Sequence, residues 1–319
     1  MPVGSADKGV GLGAGEVMFT GDYIYQTIDW EHSPIGNEPF DHYGLLNSNL
    51  LNLGVTIGLS DYWNVSLSQL FIERCMHWET PEVSSHHRTE CSSSDFNNAI
   101  GGYLGDRTLN FKYLLENQGK GPGDRLFFGG GLIIPSNNVL TESPFLSIDG
   151  VFDNHRHFAL SDGSYKIFAD FQFFRKRIKM PIFWGTTFSY IQPLDKSDYG
   201  FYPSRVYDIS LMALSGPIKN LKTNFFMISS IGINYSFRYT SEAKWNDVVA
   251  PNSKSNTHIP GLSILFGSKA GTFGINIQKA YMDNLSTNDD VISQDAEIWQ
   301  FSLSYRRILD LYIDKLYWK

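Results

Sequence analysis

The 319-residue chain has little charge, no long apolar run and only two cysteines. Charged side chains make up 18% of it, whereas a soluble domain carries about 25%, so we expect something other than water to cover part of its surface. Lys and Arg form no run beyond Arg175-Lys176-Arg177, and the net charge is -7, which argues against a nucleic-acid partner. No apolar run reaches the roughly 18 to 20 residues of a membrane helix, which excludes a helical membrane protein.

Catalytic motifs are missing as well. The sequence contains no G-x-S-x-G elbow, no P-loop and no dinucleotide fingerprint, the short motifs that most often carry acyl transfer or nucleotide chemistry. We therefore expect no enzymatic activity and no cofactor. An enzyme that assembles Ser, His and Asp from separate strands stays open as an alternative.

Alternation of apolar and polar residues is widespread in the chain. From Leu51 to Leu59 every odd position is a large aliphatic residue and every even one is small or polar, and similar alternation recurs around Phe111, Phe171 and Phe301. A strand with this pattern has one apolar and one polar face. The predicted strands are 16–30, 45–59, 62–77, 104–117, 124–135, 164–175, 180–193, 204–216, 223–241, 259–268, 272–283 and 296–308.

The connections between these strands alternate between long and short. Long loops alternating with short turns are typical of outer-membrane barrels, whose long loops face outside and whose turns face the periplasm. The strands are also as long as the roughly nine to eleven residues that a tilted strand needs to cross a bilayer. The predicted long loops are 32–44, 79–103, 136–163, 194–203, 242–258 and 284–295.

The predicted fold is therefore all-β, a transmembrane antiparallel barrel of about twelve strands in the bacterial outer membrane. We divide the chain into a periplasmic lead at 1–15, the barrel at 16–309 and a tail at 310–319, which we expect to be a short helix or interfacial segment. The start of the chain lacks the features of an export signal, so this prediction requires a signal peptide that has been removed.

Aromatic residues fall near the predicted strand ends. Tyr23, Tyr25 and Trp30 lie toward the end of the first strand, and Tyr62 and Trp63 lie at the base of the third. Rings with a polar edge are favoured at the two membrane interfaces. We therefore predict that these residues belong to aromatic girdles; the alternative is the ordinary preference of aromatic residues for strands.

The same alternation assigns several charged side chains to the inside of the barrel. Both signs occur among them, and burying an unpaired charge is costly, so ion pairs or water must satisfy these groups. They either line a selective polar channel or neutralise one another in a plugged interior. The predicted lumen-facing residues are Asp22, Lys112, Glu116, Asp170, Asp208, Arg238 and Arg306.

The two cysteines, Cys75 and Cys91, lie at the end of the third strand and in the loop that follows. We predict a disulfide on the extracellular side, where closing a loop of about 15 residues contributes roughly 3 kcal/mol. His77, His86 and His87 lie between the two cysteines and are weak candidates for metal ligands. Their spacing matches no standard zinc motif, so no metal is expected.

Short glycine-rich motifs give the chain a family resemblance. They occupy residues 9–16, 54–67, 105–107, 129–136 and 162–164. In these motifs the chain resembles the outer-membrane barrel proteins named for the meta-pathway of phenol degradation. The resemblance implies passage of hydrophobic or aromatic compounds, although Ser136 and Asn137 replace the threonine and glycine usual in that family.

We accordingly expect a porin-like channel for small, hydrophobic or aromatic molecules. Its expected partners are outer-membrane lipid, a small-molecule solute and other membrane or surface proteins. One alternative is a structural barrel that anchors a larger surface or electron-transfer assembly. The other is the outer-membrane barrel enzyme mentioned above.

Overall fold

The computed structural model describes residues 11–34, 38–84, 87–118, 121–145, 155–216, 227–285 and 294–316. Within these residues twelve long strands form one closed antiparallel barrel. Over the same residues, no helix is long and apolar enough to cross a bilayer.

The barrel strands are numbered here in chain order. They are β1 (Glu16–His32), β2 (His42–Gly58), β3 (Trp63–Trp78), β4 (Leu104–Asn117), β5 (Gly123–Ile134), β6 (Lys166–Lys176), β7 (Phe183–Pro193), β8 (Val206–Leu214), β9 (Met227–Thr240), β10 (Ser255–Ser268), β11 (Gly271–Asn284) and β12 (Gln294–Tyr312).

All the predicted strands are present, and the differences lie at their ends. The strand β2 begins at His42 instead of 45, and β10 begins at Ser255 instead of 259. The last strand continues to Tyr312 instead of ending near Leu309, and the short 3-10 turn Asp314–Leu316 follows it. The rest of the predicted tail, 317–319, lies outside the described residues, as do the first ten residues of the lead.

Each strand pairs with its neighbours in sequence, and β1 closes the sheet. It pairs with β2 from Val17↔Ile57 to His32↔His42. It also pairs with β12 from Glu16↔Tyr312 to His32↔Gln294. Closure leaves no sheet edge to be satisfied in lipid. Since the number of strands is even, Glu16 and Tyr312 lie at the same end, which is the end with the short turns.

The two faces of the barrel differ in polarity. Large apolar side chains such as Leu67, Ile233 and Leu262 project outward and are 57%, 63% and 63% exposed. Alternate residues project inward, and many of them are small or polar and buried, such as Ser236 and Asn276. An apolar outer surface of this extent is unfavourable in water and favourable in lipid. The predicted alternation is confirmed, and the chain is a bacterial outer-membrane barrel.

Some of the aromatic residues on the outward face lie at a strand end. Tyr62 and Trp63 at the base of β3 are 59% and 46% exposed, and the Trp63 ring packs 4.8 Å from that of Tyr113. Tyr23 and Tyr25 also face outward. The prediction for Trp30 is wrong, because even-numbered positions of β1 face inward. Trp30 is only 5% exposed, and packs against Met76 and Phe158 inside the barrel.

Glycine in β5 allows the neighbouring strand to approach closely. A Cβ atom at Gly131 would lie 1.9 Å from the carbonyl oxygen of Leu109 on β4. Gly121, in the turn between the same two strands, has no atom within 4 Å of its ideal Cβ position. The two glycines therefore form a matched pair.

We predict that Gly131→Ala lowers the free energy of unfolding by about 1–3 kcal/mol, the usual cost of overpacking. The added methyl group must push β4 and β5 apart. Gly121→Ala should leave stability within about 0.5 kcal/mol. Denaturant unfolding of the refolded barrel in detergent, followed by its heat-modifiable electrophoretic mobility, measures both. Equal stability of the two variants would contradict the close approach.

Candidate functional site

The inner end of the barrel is filled by apolar side chains. Leu114, Phe127 and Phe174 form a buried cluster there, and the rings of the two phenylalanines are 6.4 Å apart. The segment that precedes β1 crosses this end. Its Leu12 is 1% exposed, and the ideal Cβ position of Gly11 lies 3.6 Å from the Phe127 ring. This layer narrows the periplasmic opening.

Hydrogen-bonded polar side chains occupy the middle of the barrel. The Asn234 amide donates to Asn276 Oδ1 at 2.9 Å, and the Gln278 amide donates to Asn234 Oδ1 at 2.8 Å. Ser236 donates to Ser210 at 2.9 Å. All five side chains are buried. Ser210 and Ser236 bond between the adjacent strands β8 and β9, whereas Asn234 of β9 reaches over β10 to Asn276 and Gln278 of β11.

Most of the charged residues predicted to face the lumen lie on the inward face. Lys112 and Asp170 are paired in register with Gly129, one from each side, and are 4% and 9% exposed. Arg238 Nη2 lies 3.2 Å from Asp208 Oδ2. The inward positions are those of Asp22, Lys112, Asp170, Asp208, Arg238 and Arg306.

Glu116 is placed differently. A register shift between Leu114 and Glu116 pairs Glu116 with Leu126, whereas the inward positions of β5 are those of Phe127 and Gly129. The alternation therefore breaks at the bulge, and Glu116 shares the outward face with Leu126. Its exposed carboxylate accepts a hydrogen bond from Gln118 at 2.7 Å.

The outer end of the barrel is covered by part of the loop between β5 and β6, which we call loop 3 (135–165). Its segment 155–164 descends into the mouth, where His155, Arg156 and Phe158 are all buried. Arg74, on the inward face of β3, donates to the carbonyl oxygen of Ala159 at 3.3 Å. This hydrogen bond attaches the 155–164 segment to β3 of the barrel.

Arg156 joins loop 3 to the loop between β3 and β4, which we call loop 2 (79–103). Its guanidinium donates to the carbonyl oxygens of Ser94 and Cys91 at 2.9 and 3.0 Å, and lies 3.3 Å from Glu90 Oε2. Its backbone exchanges two hydrogen bonds with the Asn98 amide. With 2% exposure, Arg156 holds loops 2 and 3 together.

The disulfide predicted between Cys75 and Cys91 is confirmed. Cys91 belongs to the two-residue strand Glu90–Cys91, which pairs with the outer end of β3. The bond therefore fixes loop 2 to the barrel wall beside Arg156. With both thiols in this bond, they are not available as metal ligands.

A cavity of about 550 Å³ lies at the outer mouth, between loop 3, the connection from β7 to β8 and the connection from β9 to β10. Arg74 and Asp162 contribute charge to its wall, and the remaining lining is predominantly apolar. Cavities of roughly 300–1,000 Å³ with an apolar lining are suited to small organic molecules. Its apolar lining includes Leu46, Leu140, Phe145, Leu160, Phe201 and Trp245.

Three histidines converge beside this cavity. His32 at the end of β1 and His42 at the start of β2 meet His87 of loop 2, and their ring centroids are 4.7–5.3 Å apart. Burial lowers the pKa of His32 and of His42, both of which lie at the outer rim. Of the predicted metal candidates, only His87 belongs to this cluster. His77 is exposed, and His86 lies outside the described residues.

The sequence analysis missed His32 and His42. The signal available was that the two residues flank the first outer loop, 33–41. Nothing in the sequence indicated that His87, 45 positions after His42, returns to the same place. That placement depends on loop 2 folding back over the mouth, which local patterns do not encode.

Comparison with known proteins gives a structural likeness only. No family model matches the chain, and no curated protein sequence does, so the meta-pathway resemblance is not confirmed. The crystal structure of the COG4313 outer membrane channel from Pseudomonas putida F1 is 14% identical, covers 93% of this chain and 97% of its own, and has a TM-score of 0.60. A Pseudomonas aeruginosa FadL homologue is 8% identical over 91% and 90% of the chains, with a TM-score of 0.43.

We predict that Arg156→Met frees the 155–164 segment from loop 2. Methionine keeps much of the side-chain volume but loses the hydrogen bonds to Ser94 and Cys91, so chymotrypsin should cut after Phe158 faster than in the wild type. Arg307→Met is the matched control, because Arg307 is 45% exposed and lies 4.0 Å from Asp310. Mass spectrometry of timed digests measures both. An unchanged cleavage rate in Arg156→Met would show that Arg156 does not hold loop 3.

We predict that the intact protein yields a Cys75–Cys91 cross-linked peptide without reduction. Replacing both residues by serine should cost roughly 3 kcal/mol of stability in the chain-entropy model. Mass spectrometry of unreduced peptides and denaturant unfolding test the two statements. Two free thiols in the secreted, folded protein would contradict the assignment.

Proposed function

We propose that this barrel is a channel for small, hydrophobic or aromatic molecules that enter from the outer side. The observation that carries the proposal is the mainly apolar cavity of about 550 Å³ at the outer mouth. A purely structural barrel has no need of such a cavity, and a general porin would present a polar, water-filled entrance.

The chemistry of the cavity favours an aromatic or aliphatic solute. Phe145, Phe201 and Trp245 offer ring faces, and Leu46 and Leu160 offer aliphatic surface. Each Å² of apolar surface that a solute buries against such walls contributes about 25 cal/mol.

The rest of the barrel suggests how passage is controlled. Beneath the mouth, the Asn234–Asn276 and Ser236–Ser210 pairs are hydrogen-bonded, and the inner end is filled by the Phe127 cluster. We propose that a solute first binds in the cavity and that movement of side chains along the lumen limits its passage. Such a barrel conducts ions poorly at rest.

The structural likeness supports the proposal at the level of fold. The similar barrel from Pseudomonas putida F1 is described as an outer membrane channel. Both chains are matched over nearly their whole lengths, so the barrel that forms a channel there is present here in full.

We predict that Phe145→Ser weakens binding of toluene by roughly tenfold, the order expected for loss of one partly buried phenyl contact. Phe145 is 44% exposed, so the substitution leaves the fold intact. Isothermal titration of the detergent-solubilised barrel measures the affinity. Val83→Ser is the control, because Val83 is 91% exposed in loop 2 and does not line the cavity.

Uptake tests the channel itself. Vesicles with a lipopolysaccharide outer leaflet are used, so that direct diffusion of the solute through lipid is slow. Wild-type barrel and Val83→Ser should raise the rate of toluene entry, and Phe145→Ser should raise it less. Equal entry with and without the barrel would overturn the proposed function. Equal toluene affinity of the two variants would show that the cavity is not the place where the solute binds.

A further inference from the structure

The cluster of His32, His42 and His87 has the composition of a transition-metal site. We propose that it binds one divalent ion of the zinc type, with these three imidazoles and the carboxylate of Glu38 as ligands, and that the ion ties the first outer loop (33–41, loop 1) to loop 2. The proposal is independent of the solute that the channel passes.

Distances between the ligand atoms support a single ion. One ring nitrogen from each of the three histidines can be chosen so that all three atoms lie within 4.8 Å of one another. His32 Nε2 and His87 Nε2 are 3.1 Å apart. Two nitrogens bound to one tetrahedral Zn²⁺ at 2.0–2.1 Å are roughly 3.3 Å apart. The two rings are therefore already close to the spacing that a shared ion requires.

Glu38 supplies a fourth ligand of suitable chemistry. Its Oε2 lies 2.9 Å from His42 Nε2 and accepts a hydrogen bond from Ser84 Oγ at 2.8 Å. The same hydroxyl accepts the backbone N–H of His87 at 2.9 Å. Ser84 thus connects the carboxylate of loop 1 with the histidine of loop 2. Three imidazoles with one carboxylate suit Zn²⁺, and they also suit Cu²⁺ or Ni²⁺.

Contacts outside the ligand set fix the ring orientations. His32 Nδ1 lies 2.8 Å from the carbonyl oxygen of Ser33, a bond that keeps the proton on Nδ1 and turns the Nε2 lone pair toward the cluster. Such second contacts are usual for metal-bound histidines. Trp78 stacks on the His87 ring with an 18° interplanar angle, and Trp30 stacks on His32 with the same angle.

The site is well shielded from solvent. The side chain of His42 is fully buried, that of Glu38 is 12% exposed, and His87 is 8% exposed. Without an ion, the 3.1 Å contact between His32 Nε2 and His87 Nε2 is a hydrogen bond between the two rings, so the experiment must detect the ion itself. An untagged protein is required, since a histidine tag would bind the same ions.

The test is titration of the refolded, metal-stripped barrel with Zn²⁺ by calorimetry and with Co²⁺ by visible absorption. Wild type should bind one equivalent, and Co²⁺ should give the intense ligand-field bands of a four-coordinate ion. His42→Ala and His87→Gln should each lower the affinity at least about tenfold, since even second contacts of metal ligands are worth that much. His77→Ala is the control, because His77 is an exposed histidine of the same region.

Heat-modifiable mobility must show that each variant is folded, and the unfolding temperature gives a second reading. Zn²⁺ should raise that temperature in wild type and in His77→Ala, because an ion that binds only the folded state stabilises it. It should raise it less in His42→Ala and His87→Gln. Binding of Zn²⁺ that is equally tight in all four proteins, or absent in wild type, would overturn the proposal.

Discussion

Every backbone N–H and C=O group inside a bilayer needs a partner within the protein, because no water is present to bond it. The chain meets this constraint by bonding β1 to β2 on one side and to β12 on the other. Closure with an even number of strands also puts all the long loops at one end. The cavity, the Arg156 contacts and the histidine cluster depend on it, since each combines residues from different strands or loops.

Closure and alternation together determine the interior. With a fixed number of strands the space inside is limited, and large inward residues are accommodated next to small ones. Phe174 is an example, because a Cβ atom on its neighbour Gly185 would lie 2.3 Å from its ring. Polar inward residues fill the remaining space by bonding to each other, as Asn234 and Asn276 do. Strand number and tilt therefore set the width of the barrel, and packing and hydrogen bonding between inward side chains fill parts of that width.

Much of this fold could be predicted from the sequence, because the barrel depends on local signals. Alternation of apolar and polar residues identifies the strands and their two faces, and loop length distinguishes the two ends of the barrel. The errors have physical causes. Residue type alone predicts that Trp30 belongs to the outward aromatic girdle, whereas its even-numbered position in β1 places it on the inward face. The bulge at Glu116 shifts the alternation of β4 by one residue. The meeting of His32 with His87 could not be predicted, since it depends on how two loops fold over the mouth.

In the proposed channel, the outer mouth and the polar middle layer make opposite demands on a solute. The apolar cavity concentrates molecules that bury apolar surface, and a molecule that leaves it inward meets amides and hydroxyls already bonded to one another. Separating the Asn234–Asn276 pair without replacing its bond costs about 1–3 kcal/mol for each group left unsatisfied. An apolar solute cannot replace that bond. For the proposed channel it follows that the affinity for a solute is determined at the mouth by Phe145 and its neighbours, whereas the rate of passage is determined below it, by the polar side chains that must separate.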